Sequence, residues 1–265
     1  MRKRAALLVS AVVVAVAGLG VRARAAEPEW VAAMKKVHAK FGGNAGYVAQ
    51  LGDSITYSMA FWSPMSWSDP DKYIPDDGLP KRPARRWRDT VKGARDKGGG
   101  NGNYSGWRIG NLLGVVDKVL AQKKPEAAVI MIGTNDIRGN KVPGNYESGL
   151  ETVLTKCMAA GCVPILTTIP PMRGKAEGVA GANAIIKKLA ARHKVPLIDY
   201  HAEIMKRRPN DWDGTLVSKD GVHPSGGKTN DYSEGNLKTS GYALRNFLTF
   251  MKFREVYFKV LNAGN

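Results

Sequence analysis

Apolar residues along the chain follow two alternating patterns, short continuous runs and longer stretches with helical spacing. Each continuous run predicts a buried strand. These runs lie at 47–51, 127–132, 163–169 and 195–198. The stretches with helical spacing predict amphipathic helices, at about 30–41, 109–120, 146–158, 185–190 and 240–261. Apolar strands separated by helices indicate an α/β fold, a three-layer α/β/α sandwich around a central parallel sheet.

Two stretches interrupt this alternation. One spans about 57–104 and is rich in Pro, Asp, Arg and Trp, and the other spans 225–237 and is polar and rich in Gly. Both are typical of insertions on a compact core. No linker divides the chain, so residues 26–265 are predicted to form a single domain with an aromatic and basic insertion at about 57–104.

The first 25 residues resemble a secretory signal peptide. Basic residues at 2–4 precede an apolar run at 5–21, and Ala23-Arg24-Ala25 offers a cleavage site before Ala26. An uncleaved membrane anchor is the alternative, but the run is short for a bilayer span of about 20 residues. We therefore expect a protein exported to the periplasm or secreted, with no stable transmembrane segment after cleavage.

Composition excludes some classes of protein and leaves others open. Hydrophobic residues make up 43% and charged residues 24%, which is ordinary for a globular chain and excludes disorder as a description of the whole. The net charge is +17, and cleavage would remove five basic residues and no acidic one, leaving +12. Export argues against nucleic acid as a partner. The charge suits an anionic glycan or surface, or is a solvated basic face.

The two cysteines, Cys157 and Cys162, lie five residues apart at a predicted helix end and strand start. An oxidising compartment would permit a disulfide between them. Two small buried hydrophobic side chains are an equally good interpretation. Two cysteines cannot form a disulfide framework or a four-cysteine zinc site.

Two polar motifs follow predicted strands, where sites form in open α/β sheets, a third lies just before a predicted helix, and a fourth lies near the C-terminus. The four motifs are Gly52-Asp53-Ser54, Tyr104-Ser105-Gly106, Gly133-Thr134-Asn135-Asp136 and Asp220-Gly221-Val222-His223. A serine hydroxyl needs a base to act as a nucleophile, and His223 can serve. Asp220, three residues earlier, can orient the imidazole and stabilise its cation. Without these partners, Ser54 would be interpreted as a helix N-cap.

Acyl transfer also needs donors for the developing oxyanion. The backbone N–H groups of Ser54 and Gly106 and the side-chain amide of Asn135 are the candidates. Gly106 permits close approach of its backbone because it has no side chain. Asn135 could instead cap a turn.

The four motifs resemble those of the SGNH hydrolases, also called the GDSL esterase/lipase family. The family's Ser, Gly, Asn and His correspond in order to Ser54, Gly106, Asn135 and His223, with Ile55 in place of the Leu of the family name. The resemblance implies a flavodoxin-like sandwich. It also implies ester hydrolysis through a seryl-acyl intermediate, without a metal or cofactor. The long interval between Ser54 and Gly106 departs from the family pattern and leaves the substrate open.

Other features have two interpretations each. The basic segment 81–88 suits a polyanion, or forms an exposed loop paired with nearby acids. Four tryptophans, Trp62, Trp67, Trp87 and Trp107, either line a sugar cleft or pin the insertion onto the domain. The remaining histidines are not predicted to be catalytic. We expect His38 to pack in the core and His193 to be solvated, whereas His201 is ambiguous.

Three functions compete. The first is an exported esterase that removes acetyl or similar groups from a carbohydrate or cell-wall glycan, and the positive charge suits an anionic glycan. The second is a lipid-directed esterase, lysophospholipase or thioesterase, which predicts an acyl-chain channel near Ser54. The insertion supplies apolar residues for such a channel, namely Phe61, Met65, Ile74 and Leu79. The third is a glycan-binding module that has lost its chemistry.

Overall fold

A four-stranded parallel sheet in the order β1-β2-β3-β4 forms the centre of the molecule. The computed structural model describes residues 27–79 and 100–262. The strands are β1 (Asn44–Gly52), β2 (Pro125–Met131), β3 (Val163–Thr167) and β4 (Leu197–Ile198). Every residue of β2 and β3 is buried, as expected for central strands covered on both faces. The predicted α/β fold with a parallel sheet is confirmed.

Eight α-helices occur in the described part of the chain and pack in two groups. They are α1 (Glu29–His38), α2 (Ser54–Tyr57), α3 (Ile109–Leu113), α4 (Val116–Lys123), α5 (Tyr146–Ala159), α6 (Ala176–His193), α7 (Tyr200–Arg207) and α8 (Gly241–Val256). Helices α3 to α6 contact one another, and α1 and α8 meet through the turn Tyr257–Leu261, with α7 against α8. Both groups contact the sheet, which gives the three layers.

One helical prediction was wrong in detail, and one helix was not predicted. The single helix expected at about 109–120 is two helices, because Gly114 ends α3 and Val115 leaves the helical conformation before α4 begins. Glycine and β-branched residues are the weaker helix formers, so a break falls there at least cost. Helix α7 was not predicted. It has only eight residues, and its clearest signal is Asp199, whose side chain accepts a hydrogen bond from the N–H of Ala202.

The two predicted insertions pack against each other where the structure describes them. The ring of Tyr73 lies edge-on to that of Tyr232, with centroids 5.9 Å apart, and its hydroxyl donates to Asp231. Asn246 of α8 connects both stretches, because its side chain accepts from the N–H of Trp62 and donates to the carbonyl of Thr229. Residues 60–79 are therefore built into the domain. The basic segment 81–88, Trp87 and the predicted signal peptide lie outside the described residues.

A buried arginine fixes the end of the described part of the insertion. Arg254 of α8, 1% exposed, donates to both carboxylate oxygens of Asp77 at 2.7 and 2.8 Å and to the carbonyl of Leu79. The hydrogen bonds from Arg254 hold the pKa of Asp77 below its ordinary value. Asp77 therefore pairs with Arg254 of α8.

We expect Asp77→Asn to lower stability by about 1 kcal/mol at neutral pH, since charge-assisted hydrogen bonds become neutral ones on a half-exposed acid. A depressed carboxyl pKa contributes stability above the unfolded-state pKa of about 3.9, and that contribution is lost as pH falls through the lower folded-state pKa. The difference in Tm between wild type and variant should thus be constant from pH 7 to 5 and shrink below about pH 4. Calorimetric scans across this range measure it, and a difference that persists undiminished in acid would contradict it.

Cys157 and Cys162 are both buried, and their thiols are free. Burial raises the pKa of Cys162 well above its ordinary value, so that thiol stays protonated. Of the two interpretations of this pair, the structure favours small buried hydrophobic side chains over a disulfide.

Candidate active site

Ser54 begins helix α2 directly after the carboxyl end of β1. The preceding Asp53 is extended, and its carboxylate accepts a hydrogen bond from the N–H of Ile55 at 3.0 Å, so Asp53 is the N-cap. A side chain on Gly52 would collide with the carbonyl oxygen of Met131 and the hydroxyl of Thr56. Glycine is therefore required for the tight strand-to-helix turn that places Ser54 at this edge of the sheet.

Ser54, His223 and Asp220 form one continuous chain of hydrogen bonds. The Oγ atom of Ser54 lies 2.9 Å from Nε2 of His223. The other ring nitrogen, Nδ1, lies 2.7 Å from Oδ2 of Asp220. Ser54 belongs to the first motif and His223 to the last, and the two residues are 169 positions apart in the sequence. The structure thus brings together the three residues that the sequence proposed as nucleophile, base and orienting acid.

The loop around Asp220 keeps this carboxylate ionised. Burial raises the pKa of Asp220, but hydrogen bonds outweigh it and leave that pKa well below the ordinary value. Its Oδ1 atom accepts from the N–H of Val222 at 2.8 Å, the hydroxyl of Ser218 at 2.7 Å and the N–H of His223 at 2.9 Å. A carboxylate with several donors prefers its charged form. Asp220 can therefore compensate a positive charge on His223 at any pH near neutral.

The two other oxyanion candidates lie on loops, Gly106 just before α3 and Asn135 after β2. Gly106 has φ +78°, a conformation that glycine adopts without strain. Asn135 follows β2 and is 8% exposed. Its Nδ2 donates to the carbonyl of Trp107 at 3.0 Å, and its Oδ1 accepts from Arg138 at 2.8 Å. An amide nitrogen carries two hydrogens, so the bond to Trp107 accounts for one of them and fixes the plane of the group.

Further polar residues surround this site, and most of their hydrogen-bond partners were not predicted from the sequence. Thr134 donates to the second carboxylate oxygen of Asp53, which connects the loop carrying Asn135 with the turn carrying Ser54. Burial raises the pKa of Asp53, against the hydrogen bonds from Thr134 and Ile55 and the charge of Arg245. Asp136 accepts from the N–H of Ile109 at the start of α3, so it holds the loop after Gly106. Asp53 and Asp136 belong to the motifs, but the sequence around them did not indicate that they would bond to Thr134 and Ile109.

An aromatic strip passes beside the site, formed by Tyr57, Tyr104 and Trp107. The Tyr57 and Tyr104 ring centroids are 5.0 Å apart, and those of Tyr104 and Trp107 are 6.3 Å apart. Tyr104 is exposed. The tryptophans of this group that the structure describes differ in their exposure. Trp62 is fully buried beside Phe253, which fits the pinning interpretation, whereas Trp67 is 60% exposed.

The other histidines lie outside this hydrogen-bond chain. His38 is half-buried and pairs with Glu126 at 2.9 Å. His193 pairs with Glu151 at 2.7 Å and is largely shielded, so the prediction that it is solvated was wrong. Burial lowers the pKa of His201, the largest effect on it. Among the residues that the structure describes, no group of three His, Cys, Asp or Glu side chains could hold a metal ion.

The sheet, the turn that carries Ser54 and the ordered motifs define a serine ester hydrolase of the α/β sandwich type. The sequence profile of the GDSL-like Lipase/Acylhydrolase family matches residues 51–226, so the chain belongs to that family. The resemblance drawn from the four motifs is confirmed. No protein among those with curated descriptions matches this chain.

Solved structures with a similar fold include a lipase/acylhydrolase, a GDSL-like lipase and an acetyl xylan esterase. A lipase/acylhydrolase from Enterococcus faecalis has a TM-score of 0.53 at 18% identity, covering 79% of this chain and 95% of its own. A GDSL-like lipase from Bacteroides thetaiotaomicron has a TM-score of 0.52 at 17% identity, covering 86% and 100%. An acetyl xylan esterase, AlAXEase, has a TM-score of 0.51 at 17% identity, covering 79% and 98%. At these identities the likeness concerns the fold. No helix in the described ranges has the length and apolarity to cross a membrane.

Proposed function

We propose that this chain is an exported serine esterase that hydrolyses acetyl esters on a carbohydrate or cell-wall glycan. Ser54 is the nucleophile, His223 the general base and acid, and Asp220 the carboxylate that orients and stabilises the imidazole. The N–H groups of Ser54 and Gly106 and the amide of Asn135 stabilise the oxyanion. The observation that carries the chemistry is the chain of hydrogen bonds from Ser54 through His223 to Asp220.

The reaction proceeds in two halves. The Ser54 oxygen bonds to the acyl carbon while its proton passes to Nε2 of His223, and the carbonyl oxygen becomes an oxyanion. The intermediate collapses with loss of the sugar hydroxyl, whose oxygen takes the proton from His223. Water then attacks the acyl-serine and gives a proton to His223. Collapse of the second intermediate releases the carboxylic acid and returns that proton to Ser54.

Two observations favour a glycan ester over a lipid. Of the insertion's apolar side chains, Phe61, Met65 and Ile74 are buried in the hydrophobic core, so they are not available to line an acyl-chain channel. The aromatic strip instead offers partly exposed rings beside the site, and aromatic faces pack against the C–H surfaces of sugars. A similar fold is that of an acetyl xylan esterase. The signal-like segment 1–25 supports export, and the positive charge suits an acidic glycan.

The substrate proposal is tested on mature protein beginning at Ala26. Hydrolysis of p-nitrophenyl acetate, octanoate and palmitate would be compared, and acetate release from acetylated xylan and acetylated pectin measured in parallel. Acetate release with little activity on octanoate supports the proposal. Preference for octanoate or palmitate would replace it with the lipid-directed esterase. Mass spectrometry of the protein recovered from the periplasm or medium tests export, and a chain still beginning at Met1 would contradict cleavage.

Asn135→Ala should lower kcat by about 10²–10³-fold with a smaller change in KM, because an oxyanion donor acts mainly in the transition state. The matched control is Asn44→Ala, at the opposite end of the sheet, where the side chain donates to the carbonyl of Lys123. Steady-state kinetics on p-nitrophenyl acetate measures both. An unchanged kcat in Asn135→Ala would remove Asn135 from the mechanism.

A further inference from the structure

A fully buried arginine of helix α8 contacts the turn that carries Ser54. Arg245 is 0% exposed. It donates from Nη1 to the carbonyl of Ile55 at 2.8 Å and from Nη2 to the hydroxyl of Thr56 at 2.9 Å. Its guanidinium lies over the ring of Phe61, with Cζ 3.5 Å from the ring centroid. Both acceptors belong to the two residues that follow Ser54 in α2.

Helix α2 needs such an external contact. It has four residues, too few to be stable from its own hydrogen bonds. Its first turn is held by Asp53, which accepts from the N–H of Ile55 and the hydroxyl of Thr134. Arg245 holds the opposite side of the same turn. Ile55 and Thr56 are thus each hydrogen-bonded to a buried charged side chain, and Asp53 is itself fully buried.

We propose that Arg245 is the positioning residue that holds the Ser54 turn in register with His223. This inference rests on the proposed function, since it assigns Arg245 a role in keeping Ser54 within 2.9 Å of its base. Arg245 lies beyond residues 51–226, the part of the chain that the family profile matches. The role therefore belongs to the C-terminal helix of this chain and not to the four motifs.

The chemistry of the site requires arginine. A planar guanidinium reaches two acceptors in a fixed geometry and stacks on a ring, whereas an ammonium is a point charge on a flexible stem. Burial lowers the pKa of Arg245 to about 10, so the group remains charged at neutral pH. The nearby carboxylate of Asp53, also fully buried, compensates this charge. A lysine at this position would keep the positive charge but would not donate to both acceptors in the fixed geometry of a guanidinium.

The test compares two buried arginines on the same helix, Arg245 and Arg254. Arg245→Lys should lower kcat for p-nitrophenyl acetate by about 10- to 100-fold with KM unchanged, because small misplacements of a reacting group have effects of that size. The rate at which a fluorophosphonate labels Ser54 should fall by a similar factor. Arg254→Lys removes a comparable pair of guanidinium hydrogen bonds, those to Asp77. It should therefore lower Tm and leave kcat and labelling at wild-type values.

All rates are measured well below the Tm of each variant, and Arg245→Met is added to remove the charge. If Arg245→Met does not fold, Arg245→Lys decides. Wild-type kcat and labelling in folded Arg245→Lys would overturn the inference, as would equal losses of kcat in Arg245→Lys and Arg254→Lys. Failure of the proposed function is recognised separately, because Ser54→Ala would then retain turnover. An inactive Ser54→Ala beside a fully active Arg245→Lys overturns only the role of Arg245.

Discussion

Ser54→Ala is expected to lower kcat for ester hydrolysis by a factor on the order of 10⁴–10⁶. The serine oxygen forms the acyl-enzyme bond, and no other group in the hydrogen-bond chain can replace it. His223 would remain beside the vacated position, held by Asp220 at 2.7 Å. It can then assist only direct attack by water, which is why some activity above the uncatalysed rate remains in such variants.

The measurement combines kinetics with detection of the covalent intermediate. Wild-type protein should gain the mass of one phosphonyl group from a fluorophosphonate, and Ser54→Ala should gain none. Ser148→Ala is the matched control, since this exposed hydroxyl near the start of α5 donates only to the carbonyl of Asn145. We expect it to be labelled and active like the wild type. Turnover of Ser54→Ala near the wild-type rate would exclude Ser54 as the nucleophile. Absence of turnover in the wild type itself would instead favour the glycan-binding interpretation.

The sequence predicted the strands and the polar residues at their ends well, for a physical reason. Buried parallel strands must be apolar throughout, and side chains at their carboxyl ends converge on one edge of the sheet. This convergence is why Ser54, Asn135 and His223 could be named from short motifs separated by long intervals. Short elements were harder. Helix α7 depends on one capping residue, Asp199, and on packing against α8, and neither produces a strong periodic pattern.

Contacts between distant parts of the chain could not be predicted from local patterns. A buried arginine in a helix looks like any exposed one, so Arg245 and Arg254 gave no signal until the packing of α8 was known. The same holds for the insertion. Its composition indicated a loop, but whether Phe61, Met65 and Ile74 lined a channel or joined the core depended on what α8 and residues 225–237 place opposite them. The motifs alone therefore left the substrate class open.

Asp220→Asn should lower kcat by about 10⁴-fold while the fold and KM are nearly preserved. Oδ2 of Asp220 accepts a hydrogen bond from the Nδ1 proton of His223, which leaves Nε2 free to accept the proton of Ser54. An asparagine that turns its NH₂ group toward Nδ1 donates instead, so the imidazole proton moves to Nε2 and His223 can no longer act as base. The amide also lacks the negative charge that compensates an imidazolium.

The pH dependence separates this role from a structural one. The pKa of Asp220 is held well below its ordinary value, so its stabilising contribution is present above about pH 4 and is lost only as pH falls through the lower folded-state pKa. Loss of wild-type activity between pH 7 and 5 would therefore not arise from protonation of Asp220. Asp211→Asn is the control, because this exposed acid pairs with Arg208 away from the imidazole. A wrong imidazole tautomer would lower kcat far more than tenfold. If kcat of Asp220→Asn stayed within about tenfold of wild type, Asp220 would therefore serve only to hold its loop.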